Sequence, residues 1–174
     1  MSIRNIIIEP DTILRKKSEP LHQVNNETRK LLDDMLKTMY AAPGIGLAAV
    51  QIGILKRIIV IDISKKEEKK NPIFLINPEI TYQSKETSIY EEGCLSLPDH
   101  FAEIERPSKC KVNYIDYHGK KAELEAEGLL STCVQHEIDH LNGILFIDYL
   151  SKLKKDMIIK KLKKQKKELD KAIL

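Results

Sequence analysis

The sequence has no long hydrophobic run, and this absence excludes a membrane-spanning helix. No window approaches the roughly 18 apolar residues that such a helix needs. The first residues, MSIRNIIIEPD, lack the apolar core of a secretory signal and the Arg- and Ser-rich composition of a transit segment. We therefore expect a cytoplasmic protein.

Cysteine is scarce as well. The chain has three cysteines at irregular spacing: Cys94, Cys110 and Cys133. An odd number argues against a disulfide framework and predicts free thiols. At least one of them is a candidate metal ligand or nucleophile. Internal repeats and Gly/Ser-rich linkers are missing too. A chain of 174 residues without them predicts a single domain, residues 1–174.

Charge is present but unevenly distributed. Residues 151–174 contain ten lysines against three acidic residues, a charge of +7, so that residues 1–150 carry −4 of the net +3. The basic tail, residues 150–174, is predicted to be a C-terminal helix that docks through part of one apolar face, formed by Leu150, Leu153, Met157, Leu162, Leu169 and Ile173. Its lysines are either a solvated face or an electrostatic contact with RNA. Because the tail lacks aromatic anchors, we do not expect it to bind a membrane. DNA is not an expected partner either.

Two more helices are predicted from apolar residues at helical spacing. One covers about 26–41, with Asn25 as a cap and Pro43-Gly44 as its stop. The other covers about 128–141, with Gly143 as a plausible end.

Strands are predicted from short β-branched runs near 57–63 and 73–77. Two further strands flank His118-Gly119, a hairpin turn. Strands clustered before and after few helices predict an α+β fold. Antiparallel or mixed sheets are expected to pack around a central helix, with an N-terminal and a C-terminal helix beside them.

The central helix contains QHEIDHLNGILF, residues 135–146. Residues four apart share a helix face, so His136 and His140 can each reach one ion at about 2.0–2.1 Å. Glu137 lies beside that ion, where a carboxylate can accept a proton, as in H-E-x-x-H metallohydrolases. The alternative is an amphipathic helix whose histidines are merely polar.

A catalytic ion of this kind needs a third protein ligand. Cys133 is a poor candidate, because it lies about 10.5 Å along the helix axis from His140, and is predicted to be a wall residue beside the site. Cys94, in the stretch YEEGCLSLP, is the better candidate, since Gly93 and Pro98 favour an edge strand or rigid loop that presents one side chain. Taken alone, Cys94 could also be a buried structural thiol.

A third stretch, APGIGLAAVQIG at residues 42–53, has two glycines, then small residues, then Gln51. One interpretation is a tight turn into a short apolar strand. The other is that Gly44 and Gly46 allow an extended peptide backbone to approach, while Gln51 offers an amide donor.

Taken in order, GIGLAAVQ, EGCLS and QHEIDH resemble the three signature stretches of the peptide deformylases, up to about Leu150. The resemblance implies hydrolysis of the N-formyl group of formylmethionine on nascent polypeptides, with release of formate. It implies metal ligands Cys94, His136 and His140, Glu137 as acid/base, and oxyanion contacts from Gln51 and the Leu95 N–H. It also implies substrate contacts from Ile45, Gly46, Tyr90, Glu92, Leu129, Thr132 and Cys133.

The same resemblance implies Fe²⁺ as the ion, replaceable by Zn²⁺, Ni²⁺ or Co²⁺; the spacing alone would indicate zinc. It also favours the ribosome, near the exit tunnel, as the partner of the basic tail. Glu92 and Asp139 are candidates for orienting the histidines, or for pairing with Arg106. At position 101, near the pocket mouth, relatives often have a basic residue, whereas this chain has the apolar Phe101.

Two rival functions fit parts of the sequence. A peptidase that cuts internal bonds would share H-E-x-x-H, but a thiolate third ligand is atypical of it. A structural zinc module would need a fourth ligand, for which His100 and Cys110 are the candidates.

Overall fold

The computed structural model describes residues 2–173. Within this range the chain forms three α-helices, which are α1 (Asn26–Ala41), α2 (Gly128–Leu141) and α3 (Lys152–Ile173). It also forms seven strands, which are β1 (Gly46–Ala48), β2 (Ile58–Ile61), β3 (Ile73–Gln83), β4 (Thr87–Cys94), β5 (Leu97–Pro107), β6 (Lys109–Ile115) and β7 (Lys121–Glu127). None of the helices in residues 2–173 has the length and hydrophobicity that crossing a membrane requires.

Helix α1 begins and ends where the sequence predicts. The Asn25 side chain accepts a hydrogen bond from the Thr28 N–H at 2.9 Å, so the first turn of the helix has a side-chain acceptor for one of its free donors. Leu32, Met35 and Met39 form its buried face and pack against the sheet.

Five strands form one antiparallel sheet in the order β1-β2-β3-β6-β7. The run IIVI of β2 is apolar throughout because both of its faces are buried. Ile58 and Val60 face the cluster beneath α1, while Ile59 and Ile61 face the cluster beneath α2. The two strands predicted around His118-Gly119 are β6 and β7, and the predicted strand at 73–77 continues to Gln83.

Strands β4 and β5 form a separate two-stranded hairpin. Helix α2 contacts both this hairpin and the five-stranded sheet, so that it lies between them. This arrangement confirms the predicted α+β fold with a central helix, and every strand pair is antiparallel.

Helix α3 and the residues before it dock through only part of the predicted face. As predicted, Leu162 is buried and Leu150 packs against the apolar cluster formed by Leu97 and Phe146 among others, where Ile158 joins them. The other four predicted residues are more than half exposed: Leu153, Met157, Leu169 and Ile173. The prediction was wrong for these four residues because residues spaced three and seven apart define more than one possible stripe on a helix with so many lysines.

Candidate metal centre

Three side chains from two segments that are distant in the sequence meet at one place in the structure. The ligand atoms of Cys94, His136 and His140 all lie within 4.8 Å of one another, and Cys94 Sγ lies 3.3 Å from His140 Nε2. A sulfur and a nitrogen bound to one tetrahedral ion would be about 3.6 Å apart. The spacing and the donor set, one thiolate with two imidazoles, therefore fit a single transition-metal ion.

The two histidines lie on one face of α2, and their rings are 5.0 Å apart between centroids. Cys94 is the last residue of β4, where the pairing with β5 shifts register between Gly93 and Cys94. An irregularity at this point turns a side chain out of the regular alternation of the strand. A Cβ at Gly93 would lie 2.5 Å from the Phe101 ring, so a side chain at residue 93 would require this exposed ring to move.

Glu137 belongs to the same site as Cys94, His136 and His140 and is almost fully buried, with 4% exposure. Burial raises the pKa of its carboxyl group to about 7. The Glu137 Oε2 atom and the His140 Nδ1 atom are buried without a hydrogen-bond partner among the described residues. A bound cation beside these groups would stabilise the ionised carboxylate, which is a second reason why the site fits a metal.

Gly46 allows Glu137 to occupy this position. A Cβ on Gly46 would lie 2.3 Å from Glu137 Oε1, so any side chain at residue 46 would displace the carboxylate. The glycine of this stretch, which the sequence indicates as a point of close backbone approach, thus also contacts the candidate acid/base.

A chain of ionic contacts fixes the position of the His136 ring through its Nδ1 atom. His136 Nδ1 donates to Glu92 at 3.0 Å, and Arg106 Nε donates to the same carboxylate at 3.0 Å. Although burial would raise the pKa of Glu92, its hydrogen bonds from His136 and Arg106 lower that pKa below the ordinary value. The ionised Glu92 fixes the tautomer of His136, so that Nε2 is free to bind a metal.

Asp139 occupies the other side of Arg106. It accepts hydrogen bonds from Arg106 Nη1 at 2.8 Å and from the Tyr149 hydroxyl at 2.7 Å. Of the two carboxylates expected to orient the histidines, Glu92 therefore contacts one and Asp139 pairs with Arg106. Tyr149 was not predicted from the sequence, because a tyrosine ten residues beyond Asp139 belongs to no motif.

Replacing Arg106 with methionine is expected to lower the free energy of unfolding by about 3–5 kcal/mol, because Glu92 would remain buried without its cationic partner. Chemical denaturation measures this change. Lys109→Met is the matched control, since the Lys109–Glu127 pair is 63% and 77% exposed and should contribute at most about 1 kcal/mol. Equal losses in the two variants would contradict the assigned role of Arg106.

Gln51 reaches the cluster from the short 3-10 helix after β1. The Ala48 N–H donates to its Oε1 at 2.9 Å, which points Nε2 towards the site. Nε2 donates to Ser96 Oγ at 3.1 Å and lies 3.5 Å from Cys94 Sγ. Ser96, the serine of EGCLS, thus holds the amide in place, a role that the sequence pattern did not indicate.

A cavity of about 440 Å³ opens in front of this cluster. Gln51, Cys94, Leu95, His136 and Glu137 line it. All the residues predicted to contact substrate line it as well: Ile45, Gly46, Tyr90, Glu92, Leu129, Thr132 and Cys133. The exposed Phe101 ring lies at this cavity too, consistent with the expectation of an apolar mouth.

The remaining thiols and histidines do not join the cluster. Cys133 is buried in the cavity wall, with its Sγ 3.8 Å from the Ile45 carbonyl oxygen, and burial raises the pKa of its thiol. Across residues 2–173, no group of metal-binding side chains includes His100 or Cys110. The structural zinc alternative therefore lacks its fourth ligand in the part of the chain that the structure describes.

Comparison with known proteins decides the family. Residues 3–156 match the polypeptide deformylase family. The chain belongs to this family. A peptide deformylase of Pelagibacter ubique is 64% identical over 166 residues, which are 95% of this chain and 96% of the relative. A peptide deformylase of Rhizobium meliloti is 56% identical over 167 residues, 96% of each chain.

Solved structures of deformylases have the same fold. A crystal structure of peptide deformylase from Ehrlichia chaffeensis superposes with a TM-score of 0.91 at 43% identity, covering 96% of this chain and 98% of the other. The same enzyme in complex with actinonin also gives 0.91, at 46% identity. As a deformylase, the chain is a metal-dependent hydrolase that removes the N-formyl group from the N-terminal formylmethionine of newly synthesised proteins and releases formate.

Proposed function

We propose that Cys94, His136 and His140 hold the catalytic metal of this deformylase, and that Glu137 is its acid/base. The observation that carries this proposal is the meeting of three ligand atoms within 4.8 Å, next to a buried carboxylate without a hydrogen-bond partner on Oε2. A divalent cation in this position supplies Lewis-acid catalysis, since it makes water more acidic and polarises a carbonyl oxygen.

Glu137 accepts the proton of the attacking water and later gives it to the departing amine. Burial raises the pKa of this carboxyl group to about 7 in the absence of a cation, and a nearby cation would favour its ionised form. An ionised carboxylate can accept the proton of water, and its protonated form can return that proton to the amine. Gln51 Nε2 and the Leu95 N–H donate hydrogen bonds to the formyl oxygen as it becomes negative. To reach the formyl oxygen, Gln51 Nε2 uses the N–H that now points at Cys94 Sγ. Its other N–H keeps the hydrogen bond to Ser96 Oγ.

The methionine side chain of the substrate occupies the cavity lined by Tyr90, Leu129, Thr132 and Cys133. The substrate backbone passes Ile45 and Gly46, where β1 is an edge strand of the five-stranded sheet. Because β4 also has an unpaired edge on the same cavity, an extended peptide can lie between the two strands.

Formate release tests the assignment of activity and metal together. Formyl-Met-Ala-Ser should release formate in the presence of a divalent cation, and a chelator should abolish the release reversibly. A protein that cut internal peptide bonds of a non-formylated peptide, or released formate equally well after chelation, would require a different function.

Gln51→Ala is expected to reduce kcat by about 10²–10³, which corresponds to the loss of one oxyanion donor. Steady-state kinetics with formyl-Met-Ala-Ser measure this effect, with metal content checked in parallel because Nε2 also contacts Cys94. The control is Ser96→Ala, which removes the anchor of the amide but not the amide itself, and should cost less. Normal turnover in Gln51→Ala would remove Gln51 from the mechanism.

The proposed native ion is Fe²⁺, with Zn²⁺, Ni²⁺ or Co²⁺ as replacements. One thiolate and two imidazoles are acceptable to all four metals, so the ligands alone do not select among them. Anaerobic metal analysis coupled to the activity assay distinguishes the alternatives, with the highest turnover per bound ion expected for iron.

The proposed compartment is the cytoplasm, where newly synthesised proteins emerge.

We also propose that the basic helix α3 binds the ribosome near the exit tunnel. One groove of this helix is lined by exposed lysines, among them Lys160, Lys163, Lys164 and Lys167. Leu162 packs the helix against the rest of the protein. A row of ammonium groups on a docked helix is suited to phosphate groups of RNA.

Replacing Lys160, Lys164 and Lys167 with glutamine is expected to weaken ribosome binding and to make it less dependent on salt. The slope of log affinity against log salt concentration should fall by about one for each RNA phosphate that a replaced lysine had neutralised. Deformylation of a free tripeptide should be unaffected. The matched control replaces Lys65, Lys66 and Lys69, which are also exposed, and removes the same charge elsewhere. Equal ribosome affinity in both variants would contradict the docking proposal.

A further inference from the structure

The wall of the substrate cavity contains one buried hydroxyl group without a partner. Thr132 lines the cavity from α2 and is 3% exposed, and its Oγ1 makes no hydrogen bond to any described residue. By contrast, the neighbouring Ser131 donates its hydroxyl to the Pro107 carbonyl oxygen at 3.0 Å. A buried hydroxyl without a partner is destabilising, so a hydrogen bond to Thr132 would bring a clear gain.

The hydroxyl of Thr132 can be presented to the cavity. Threonine in a helix divides between two side-chain rotamers, and a rotation about Cα–Cβ moves its hydroxyl and its methyl between neighbouring positions. The Tyr90 hydroxyl lies close by, 3.4 Å from the position that a Cβ on Gly128 would take, one helical turn before Thr132. This wall of the cavity is therefore more polar than an aliphatic lining would be.

We propose that Thr132 is a specificity-determining residue that donates a hydrogen bond to the side chain of the first substrate residue. This inference rests on the proposed placement of that side chain in the cavity. The thioether sulfur of methionine is a weak acceptor, whereas the oxygen of methionine sulfoxide is a strong one. The enzyme should thus deformylate peptides that begin with oxidised formylmethionine, and the Thr132 hydroxyl should favour this substrate.

Three substrates and two variants test this role. The substrates are formyl-norleucyl-Ala-Ser, which has no acceptor in its side chain, formyl-Met-Ala-Ser, and the sulfoxide of the latter. Thr132→Val removes the hydroxyl and keeps the branched shape, while Thr132→Ser removes the methyl and keeps the hydroxyl. The readout is the ratio of kcat/KM for each substrate to that for the norleucine peptide, so a general loss of activity cancels.

The sulfoxide-to-norleucine ratio is expected to fall about tenfold in Thr132→Val, with a smaller fall for methionine, and to stay near the original value in Thr132→Ser. A ratio unchanged by Thr132→Val would overturn the inference, as would an equal fall in Thr132→Ser. Failure of the underlying assignment has a different signature, since no formate would then be released from any of the three peptides.

Discussion

Replacing Glu137 with glutamine is expected to reduce kcat/KM for formyl-Met-Ala-Ser by about 10²–10⁴. Glutamine has nearly the same shape and keeps the packing against Gly46, but it cannot accept and return a proton. Metal content should be preserved, because Glu137 is not one of the three ligands. Steady-state kinetics with metal analysis separate the two effects, and activity close to that of the original enzyme would exclude Glu137 as the acid/base.

The same variant has a second expected property, which appears in the metal-free protein. Burial raises the pKa of Glu137 from 4.5 to about 7, so the folded state holds this proton more tightly than the unfolded state does. The metal-free protein should therefore lose stability as pH rises from about 4.5 to 7, by about 3 kcal/mol from this group alone. Glu137→Gln should remove that loss, and unfolding curves at pH 5 and pH 8 measure the difference.

Replacing Cys94 with alanine is expected to lower metal affinity by more than about 100-fold and to abolish activity at stoichiometric metal. Loss of a residue that only orients a metal ligand costs about 10–100-fold, and loss of the thiolate itself should exceed this. The fold should persist, because Cys94 is only partly buried at the end of β4. Metal titration and formate release give the two readouts.

The other two thiols provide controls for this variant. Cys133→Ala leaves the three ligands intact and should retain the metal, although it enlarges the cavity wall. Cys110→Ala changes only the core beneath the sheet. Loss of metal in Cys133→Ala, with full metal content in Cys94→Ala, would reverse the assignment of the third ligand.

The sequence predicted the parts of the fold that depend on local patterns. Helix α1 has a side-chain cap and a Pro-Gly stop, and its predicted bounds are those observed. The pair of histidines on α2 also follows from helical periodicity alone. Cys94 was reached differently. Its approach to His140 depends on how the β4–β5 hairpin packs against α2, a contact between residues 46 apart in the chain. The local sequence made Cys94 a candidate, and the resemblance to a family supplied the pairing with the histidines.

The β4–β5 hairpin was predicted only in part, for a physical reason. Its strands carry charged residues on the exposed face, and Gly93 and Pro98 interrupt the apolar alternation, so that TSIYEEGC and LPDHFAEIERP do not read as regular strands. The pairing of Arg106 with Glu92 and Asp139 is likewise set by tertiary contacts between β5, β4 and α2.

The docked face of the tail was predicted correctly at Leu150 and Leu162 but wrongly at Leu153 and Met157, because several apolar stripes were possible. Leu162 and Ile158 bury against the hairpin and the segment after α2, while Leu153 stays exposed. Helical periodicity gives the spacing of a face, but which face docks depends on the direction in which the chain leaves the preceding segment, and the sequence pattern does not contain that direction.

X-ray absorption spectroscopy of the active, metal-loaded enzyme tests the central claim most directly. With Zn²⁺ as the ion, the account predicts one sulfur at about 2.3 Å and two nitrogens at about 2.0–2.1 Å in the metal's coordination shell. The sulfur should disappear in Cys94→Ala and remain in Cys133→Ala. A shell without sulfur in the fully active enzyme would contradict the assignment of Cys94, and with it the proposed site.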